Sequence, residues 1–144
     1  MSRYRRTNTP GATYFFTAVT YRRQPFLCDP DVRIALREAI SKVRDQYPFH
    51  IDGWVLLPDH LHTIWTLPPG DACFSLRWQQ IKRGVTLRCG ERLHQAAWMT
   101  ESKIKHRESS LWQPSRMPLL KLAVLLADAI SVALGEVLIA RRKR

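Results

Sequence analysis

The sequence predicts an α+β fold: a ferredoxin-like sandwich with an antiparallel sheet and helices on one face. Two apolar, β-prone runs flank the step Pro58-Asp59 and predict a hairpin. An aromatic, β-branched segment precedes the hairpin, and two segments with helical periodicity alternate with these strands. The resulting order of strand, helix, strand, strand and helix, followed by a short apolar segment, is that of the ferredoxin-like fold.

The first strand is predicted over 13–21, because its residues are aromatic, β-branched or threonine. It is apolar on both faces, so we expect it to lie centrally and to be covered by helices. The first helix is predicted to start with Asp29 as N-cap and Pro30 at the first helical position, and to run to about Gln46 before Pro48. Its apolar stripe consists of Val32, Ala35, Leu36, Ala39, Ile40 and Val43.

The hairpin strands are predicted over 49–57 and 60–67, and a second helix over 74–93. The inner face of this helix is predicted to contain Phe74, Trp78, Ile81, Val85 and Leu93. Residues 94–110 are polar and basic, which indicates a loop or a weak helix. Residues 111–113 are predicted to begin a short final strand.

The chain of 144 residues has a formal net charge of +11 and a pI of about 10.3, and its length suits one compact domain. Residues 1–25 contain five arginines and no acid, and residues 77–107 contain eight basic residues against Glu91 and Glu101. Such clustered positive charge favours a polyanionic partner such as nucleic acid. The alternative is a basic protein whose charges are only solvated.

The three cysteines, Cys28, Cys73 and Cys89, are widely spaced and odd in number. This spacing matches neither a zinc site nor a disulfide framework and fits a reducing cytoplasm. The arginine-rich N-terminus has no apolar signal core, which argues against secretion. We therefore expect a cytoplasmic protein.

Two histidines stand one residue apart in the third predicted strand. Because side chains alternate along a strand, His60 and His62 should point to the same face, with Leu61 on the other. Neutral imidazoles one alternation apart can share a divalent metal ion. The alternative is two polar side chains on a solvated face, since two ligands do not complete a metal site.

The sequence resembles the IS200-like transposases, and within these HUH enzymes the REP-associated tyrosine transposases. The resemblance covers residues 1–113 and is strongest in the motif Trp-x-x-x-Pro-x-His-x-His-x-Ile-Trp-x-Leu-Pro, which runs from Trp54 to Pro68. Further matching segments are 4–6, 11–17, 48–53, 74–78, 81–82 and 111–114.

The resemblance implies that His60 and His62 hold Mg²⁺ or Mn²⁺ against a phosphate of single-stranded DNA. It also implies a tyrosine nucleophile, palindromic hairpin DNA as substrate, and frequent homodimers. The predicted DNA-binding residues lie in the basic N-terminus and the second helix. They are Arg3, Tyr4, Arg5, Arg6, Arg77, Lys82 and Arg83. Asp52, Glu101 or water remain open as further metal ligands.

The resemblance stops near Pro114, before the helix in which the family carries its tyrosine. The tyrosines of this chain are Tyr4, Tyr14, Tyr21 and Tyr47, and neither Tyr21 nor Tyr47 has the spacing of the family site. We therefore expect an incomplete domain over 1–113, a divergent apolar helical tail over 114–144, and weak or absent strand cleavage. A frameshift near Pro114 would explain the break.

The predicted tail helix spans 119–140. Its charges, Lys121, Asp128 and Glu136, share one side, so it should be amphipathic rather than membrane-spanning. Two alternatives to an active transposase remain open at this stage: a DNA-hairpin-binding module without catalysis, and a generic metal-binding globular protein.

Overall fold

A computed structural model describes residues 9–114 and the two-residue strand Leu119–Leu120. The described strands form one antiparallel sheet in the order β2-β3-β1-β4. These strands are β1 (Thr13–Val19), β2 (His50–Leu56), β3 (His60–Thr66) and β4 (Leu119–Leu120). The helices are α1 (Pro30–Gln46), α2 (Phe74–Leu93) and the short α3 (Glu101–Lys105). This arrangement confirms the predicted ferredoxin-like fold.

Both long helices begin and end close to the predicted positions. Pro30 occupies the first turn of α1, where its missing N–H leaves no hydrogen bond unmade. Asp29 stands at the N-cap position, but its side chain makes no capping hydrogen bond. It instead accepts a hydrogen bond from Arg92 of α2 at 3.1 Å. The expected capping role of Asp29 is therefore replaced by a link between the two helices.

The hydrophobic core lies between the helices and one face of the sheet. Alternate residues of β1, Tyr14, Phe16 and Ala18, are buried on this face. Trp65 of β3 is fully buried there, and its ring stacks on Trp78 of α2 with the ring centroids 4.5 Å apart. This packing fixes α2 against the centre of the sheet.

The opposite face of the sheet carries the odd-numbered residues of β1. Thr17 is exposed, and Phe15 and Val19 are only partly buried in the described structure. The prediction that β1 lies centrally is confirmed, because it pairs with β3 and β4. Within residues 9–114 the helices cover one face of β1, as the predicted architecture with helices on one face of the sheet requires. The open face carries the two histidines of β3.

The predicted final strand at 111–113 is reduced to one bridge between Thr20 and Trp112. The fourth strand is instead Leu119–Leu120, which pairs with Phe15 and Tyr14. The predicted tail helix is therefore wrong at these two residues, and its remainder lies outside the described residues. Within the described part of the chain, no helix combines the length and hydropathy needed to cross a membrane.

Helices α1 and α2 approach each other closely at Gly84. A Cβ added there would lie 2.9 Å from Cβ of Ala39, whereas one added at Gly90 would meet only a Thr86 methyl at 3.6 Å. Both Gly→Ala changes gain the same helix propensity, but only the change at Gly84 forces the helices apart. We expect the free energy of unfolding of Gly84→Ala to be about 1–3 kcal/mol lower than that of Gly90→Ala. Denaturant unfolding of both variants measures the difference, and equal stabilities would contradict the close approach.

Candidate metal centre and nucleic-acid interface

The two histidines lie at the start of β3, directly after the turn that joins it to β2. The Leu57 N–H donates to the His60 carbonyl oxygen at 2.9 Å, which closes this turn. The rings of His60 and His62 are 5.0 Å apart between centroids, at an angle of 79°. The predicted common orientation is therefore confirmed, and the two imidazoles lie close enough for one ion to contact both.

Each ring is held at Nδ1 by a neighbouring side chain. Nδ1 of His60 lies 2.7 Å from Oδ1 of Asp59, and Nδ1 of His62 lies 2.9 Å from Oγ1 of Thr17. Phe15 stacks on the His62 ring at 5.4 Å. Anchoring one ring nitrogen in this way orients the other, Nε2, and is the usual support of a metal-binding histidine.

Burial lowers the pKa of His62, and the positive charge of a protonated His60 beside it lowers that pKa further. Both effects favour the neutral imidazole, which is the form that binds metal ions. The environment of His62 therefore fits a metal ligand better than an exposed cationic side chain.

The structure shows no third protein ligand beside the pair: residues 9–114 contain no cluster of three or more His, Cys, Asp or Glu side chains able to hold a metal ion. Asp52 is bound elsewhere, to Nδ1 of His50 at 2.9 Å and to Oγ1 of Thr66 at 2.6 Å. Glu101 lies at the exposed N-terminus of α3. Water or a bound phosphate would have to complete the coordination.

Arg77 does not lie on a surface that DNA could contact. Its side chain is 2% exposed and forms an ion pair with Asp71 at 2.6 Å. The guanidinium also donates to three backbone carbonyl oxygens, those of Tyr47, Pro48 and Cys73. These contacts use all five of its N–H donors. The predicted DNA contact of Arg77 does not fit this burial, because the side chain instead joins α2 to the segment between α1 and β2.

The other predicted cations of α2 differ from each other. Lys82 is partly buried, its ammonium lies 5.6 Å from the centroid of the Trp112 ring, and burial lowers its pKa to about 8. Arg83 is exposed. Arg3, Tyr4, Arg5 and Arg6 lie outside the described residues. Arg83 is thus the predicted DNA-binding residue whose exposure the structure supports directly.

A cationic and aromatic group that we did not predict joins the segment after β1 to residues 98–103. The Arg22 guanidinium lies 5.8 Å from the centroid of the Tyr21 ring and 5.3 Å from that of Trp98. The Lys103 ammonium lies 4.2 Å from the centroid of the same tyrosine. Exposed basic side chains beside aromatic rings are typical of surfaces that bind single-stranded nucleic acid, and in this group Arg22 is exposed whereas Lys103 is buried. Its one sequence signal is the basic pair Arg22-Arg23, which directly follows the predicted strand.

The described tyrosines occupy three different environments. Tyr14 is fully buried, its hydroxyl donates to the Thr9 carbonyl at 2.6 Å, and burial raises its pKa. Tyr21 packs against Lys103, and Tyr47 is the partly exposed C-cap residue of α1. Tyr14 therefore points into the core, away from the face that carries the histidines.

Comparison with known proteins gives the family. A solved structure described as a REP-associated tyrosine transposase bound to a REP hairpin matches 92% of this chain and 72% of that protein, with 36% sequence identity and a TM-score of 0.70. This chain belongs to the REP-associated tyrosine transposases. The Escherichia coli REP-associated tyrosine transposase is 48% identical over 90 residues, and a candidate REP-associated tyrosine transposase of Haemophilus influenzae is 33% identical over 114 residues.

These REP-associated tyrosine transposases are longer than the present chain, which matches 54% of the Escherichia coli protein and 62% of the Haemophilus influenzae protein. A candidate transposase of Deinococcus radiodurans shares the fold alone, with 18% identity and a TM-score of 0.55. A search of protein-family models found no match. The transposase relatives thus support the predicted family, whereas the predicted homodimer stays a prediction.

Proposed function

We propose that this chain binds hairpin DNA and uses a divalent cation, Mg²⁺ or Mn²⁺, held by His60 and His62 to engage a phosphodiester of the DNA. The observation that carries the proposal is the anchored histidine pair on the open face of the sheet. Each imidazole has its own supporting side chain at Nδ1, which is the arrangement found around metal-binding histidines. The solved relative bound to a REP hairpin supports the choice of DNA.

The donor set fits a divalent cation with open coordination positions. The two histidines would supply Nε2 ligands, and oxygen atoms from water or phosphate, which suit Mg²⁺ and Mn²⁺, would supply the others. Asp52 and Glu101 would contribute only if their side chains moved. A bound cation would neutralise and orient the phosphate. The protein's own contribution is to hold both rings on a rigid sheet and to keep His62 neutral.

Exposed positive residues elsewhere on the surface would contact further phosphates of the DNA. Arg22 and Arg83 are exposed. With Lys82 and the basic N-terminal residues 1–8, they would provide the electrostatic attraction that the net charge of +11 indicates. Tyr21 and Trp98 would offer rings on which unpaired bases could stack.

A second candidate function is strand cleavage and transfer through a tyrosine, which the family resemblance implies. The histidine pair also favours cleavage. A cation held at one fixed position can orient and neutralise the single phosphate at which a strand is cut, whereas DNA binding alone requires no such fixed contact. The two candidates differ in one product, a covalent bond between protein and DNA.

One assay separates these functions. A labelled single-stranded palindromic oligonucleotide is incubated with the chain and Mn²⁺, beside a random duplex of equal length. We expect a salt-sensitive mobility shift that favours the hairpin, without a covalent band. The change Arg83→Ala should weaken binding and flatten the dependence of log affinity on log salt by about 0.7–0.9, which corresponds to one lost phosphate contact. The exposed Arg33→Ala of α1 is the matched control and should change neither.

A band that survives denaturation would instead establish strand cleavage. Equal affinity for hairpin and random duplex would refute both functions. It would leave a generic metal-binding protein with a non-specific positive surface.

A further inference from the structure

We propose that Arg23 and Asp59 are positioning residues that fix the orientation and tautomer of His60 and so raise the affinity of the site for its cation. The inference rests on the proposed role of His60 as a metal ligand and adds two residues to it. Neither of them was among the predicted site residues, and Arg23 acts only through Asp59.

The Asp59 carboxylate joins the arginine to the histidine. Its Oδ1 lies 2.7 Å from Nδ1 of His60, and its Oδ2 accepts a hydrogen bond from the Arg23 guanidinium at 3.3 Å. An ionised carboxylate only accepts hydrogen bonds, so Nδ1 of a neutral His60 carries the hydrogen and Nε2 keeps the lone pair that a cation needs.

The backbone around Asp59 is fixed by a buried threonine. Thr20 is fully buried, and both its N–H and its hydroxyl donate to the Asp59 carbonyl oxygen, at 3.0 and 2.9 Å. The hydroxyl also lies 2.9 Å from the Gln24 carbonyl oxygen. Later in the same segment, the Leu27 N–H donates to the Pro58 carbonyl oxygen at 2.9 Å. The turn before His60 is therefore attached to the segment after β1 at two places.

The chain adopts a disfavoured conformation to bring Arg23 to Asp59. Arg22 and Arg23 have φ values of 53° and 55°, in the left-handed region that non-glycine residues rarely enter. Two consecutive residues in this region persist only where the surroundings hold them, and such residues cluster at functional sites. The hydrogen bonds of Thr20 supply that restraint here.

The Arg23–Asp59 ion pair contributes little to stability, because the Arg23 side chain is 60% exposed and solvent screens the pair. Its effect should therefore appear in the orientation of His60 rather than in the stability of the fold. This separation allows a positioning role to be tested directly.

The test measures Mn²⁺ binding to the full chain by calorimetry, and the His60 tautomer in the metal-free protein by ¹⁵N NMR of the ring nitrogens. Outer-shell partners of metal-bound histidines typically contribute 10–100-fold to affinity, so Asp59→Asn should weaken binding by about that factor. Arg23→Ala should weaken it by about 3–10-fold, because Asp59 remains, and Arg23→Lys should recover part of the loss. Arg33→Ala is the matched control, and the thermal midpoints of the Arg23 variants should equal that of the parent.

The two proposals fail in different ways. If the parent chain binds Mn²⁺ and Arg23→Ala changes neither the affinity nor the fraction of His60 with hydrogen on Nδ1, the positioning role is wrong and the metal site stands. If the parent chain binds no Mn²⁺, the proposed cation is wrong. In that case the His60 tautomer still tests the positioning role. If Arg23→Ala and Asp59→Asn both leave this tautomer unchanged, the positioning role is wrong as well.

Discussion

Replacing Arg77 with methionine is expected to lower the free energy of unfolding by about 3–5 kcal/mol, because it breaks the hydrogen-bond network around a buried guanidinium. Methionine fills much of the same volume but donates no hydrogen bonds. The carbonyl oxygens of Tyr47, Pro48 and Cys73 would lose a donor inside the protein, and Asp71 would lose its ion pair. Chemical denaturation of the purified variant measures the loss.

Two further variants make this expectation specific. Arg83→Met changes an exposed arginine on the same helix and should alter stability by less than about 0.5 kcal/mol. Arg77→Lys retains the charge but not the planar fork, so it should recover only a small part of the loss. A stable Arg77→Met variant with weak DNA binding would contradict the structural role and restore Arg77 as a DNA contact.

The loss of stability at acidic pH gives an independent measure of the ion pair between Arg77 and Asp71. The hydrogen bond from Arg77 lowers the pKa of Asp71, so the ion pair stabilises the fold above the unfolded-state pKa of about 3.9. Its contribution is lost as the pH falls through the lower pKa of the folded state. The difference in stability between the parent and Asp71→Asn should therefore be greatest near neutral pH and should vanish in strong acid.

The helical spacing of α2 already indicates that Arg77 is buried. It lies three residues after Phe74 and four before Ile81, so helical spacing places it on the buried stripe of α2. A charged residue at such a position is buried only with partners, and those partners come from distant segments of the chain. Helical spacing alone could therefore show that Arg77 is buried, but not that it reaches Tyr47 and Pro48.

The strands and long helices were predictable because each rests on a local pattern. Alternation along β3 placed both histidines on one face, and the Asp29-Pro30 step marked the start of α1. The fourth strand was misplaced because the two residues of Leu119–Leu120 are too few to show a period. Its position depends on the free edge of β1, which is a property of the whole sheet.

The side chains that orient the two histidines could not be predicted from local sequence patterns, because their contacts depend on how distant segments pair. Thr17 reaches His62 because the two residues are opposite each other in the register of β1 and β3. Arginine, unlike glycine or asparagine, gives no sign that it will adopt a left-handed conformation, so the path of Arg22 and Arg23 was not predictable. The histidine pair was thus visible in the sequence, whereas the side chains that orient it appear only in the folded structure.

Removing either histidine ring is expected to abolish the proposed cation site. Since even the indirect partners of metal-bound histidines contribute 10–100-fold, His60→Ala and His62→Ala should each weaken Mn²⁺ binding by more than about 100-fold. The structure provides the reason, because no cluster of three or more candidate ligands exists in the described residues to replace a lost imidazole. Calorimetric titration of the metal-free chain measures each loss.

The control is His106→Ala, which removes an exposed histidine at the C-terminal end of α3 and should leave Mn²⁺ affinity unchanged. Coupling to DNA gives the stronger criterion. If the cation contacts the phosphodiester, Mn²⁺ should raise the affinity of the parent for hairpin DNA, and hairpin DNA should raise the affinity for Mn²⁺ by the same factor. His60→Ala and His62→Ala should lose this coupling but keep the salt-sensitive binding that arginines provide. Equal coupling in the parent and in both variants would locate the cation elsewhere and refute the site.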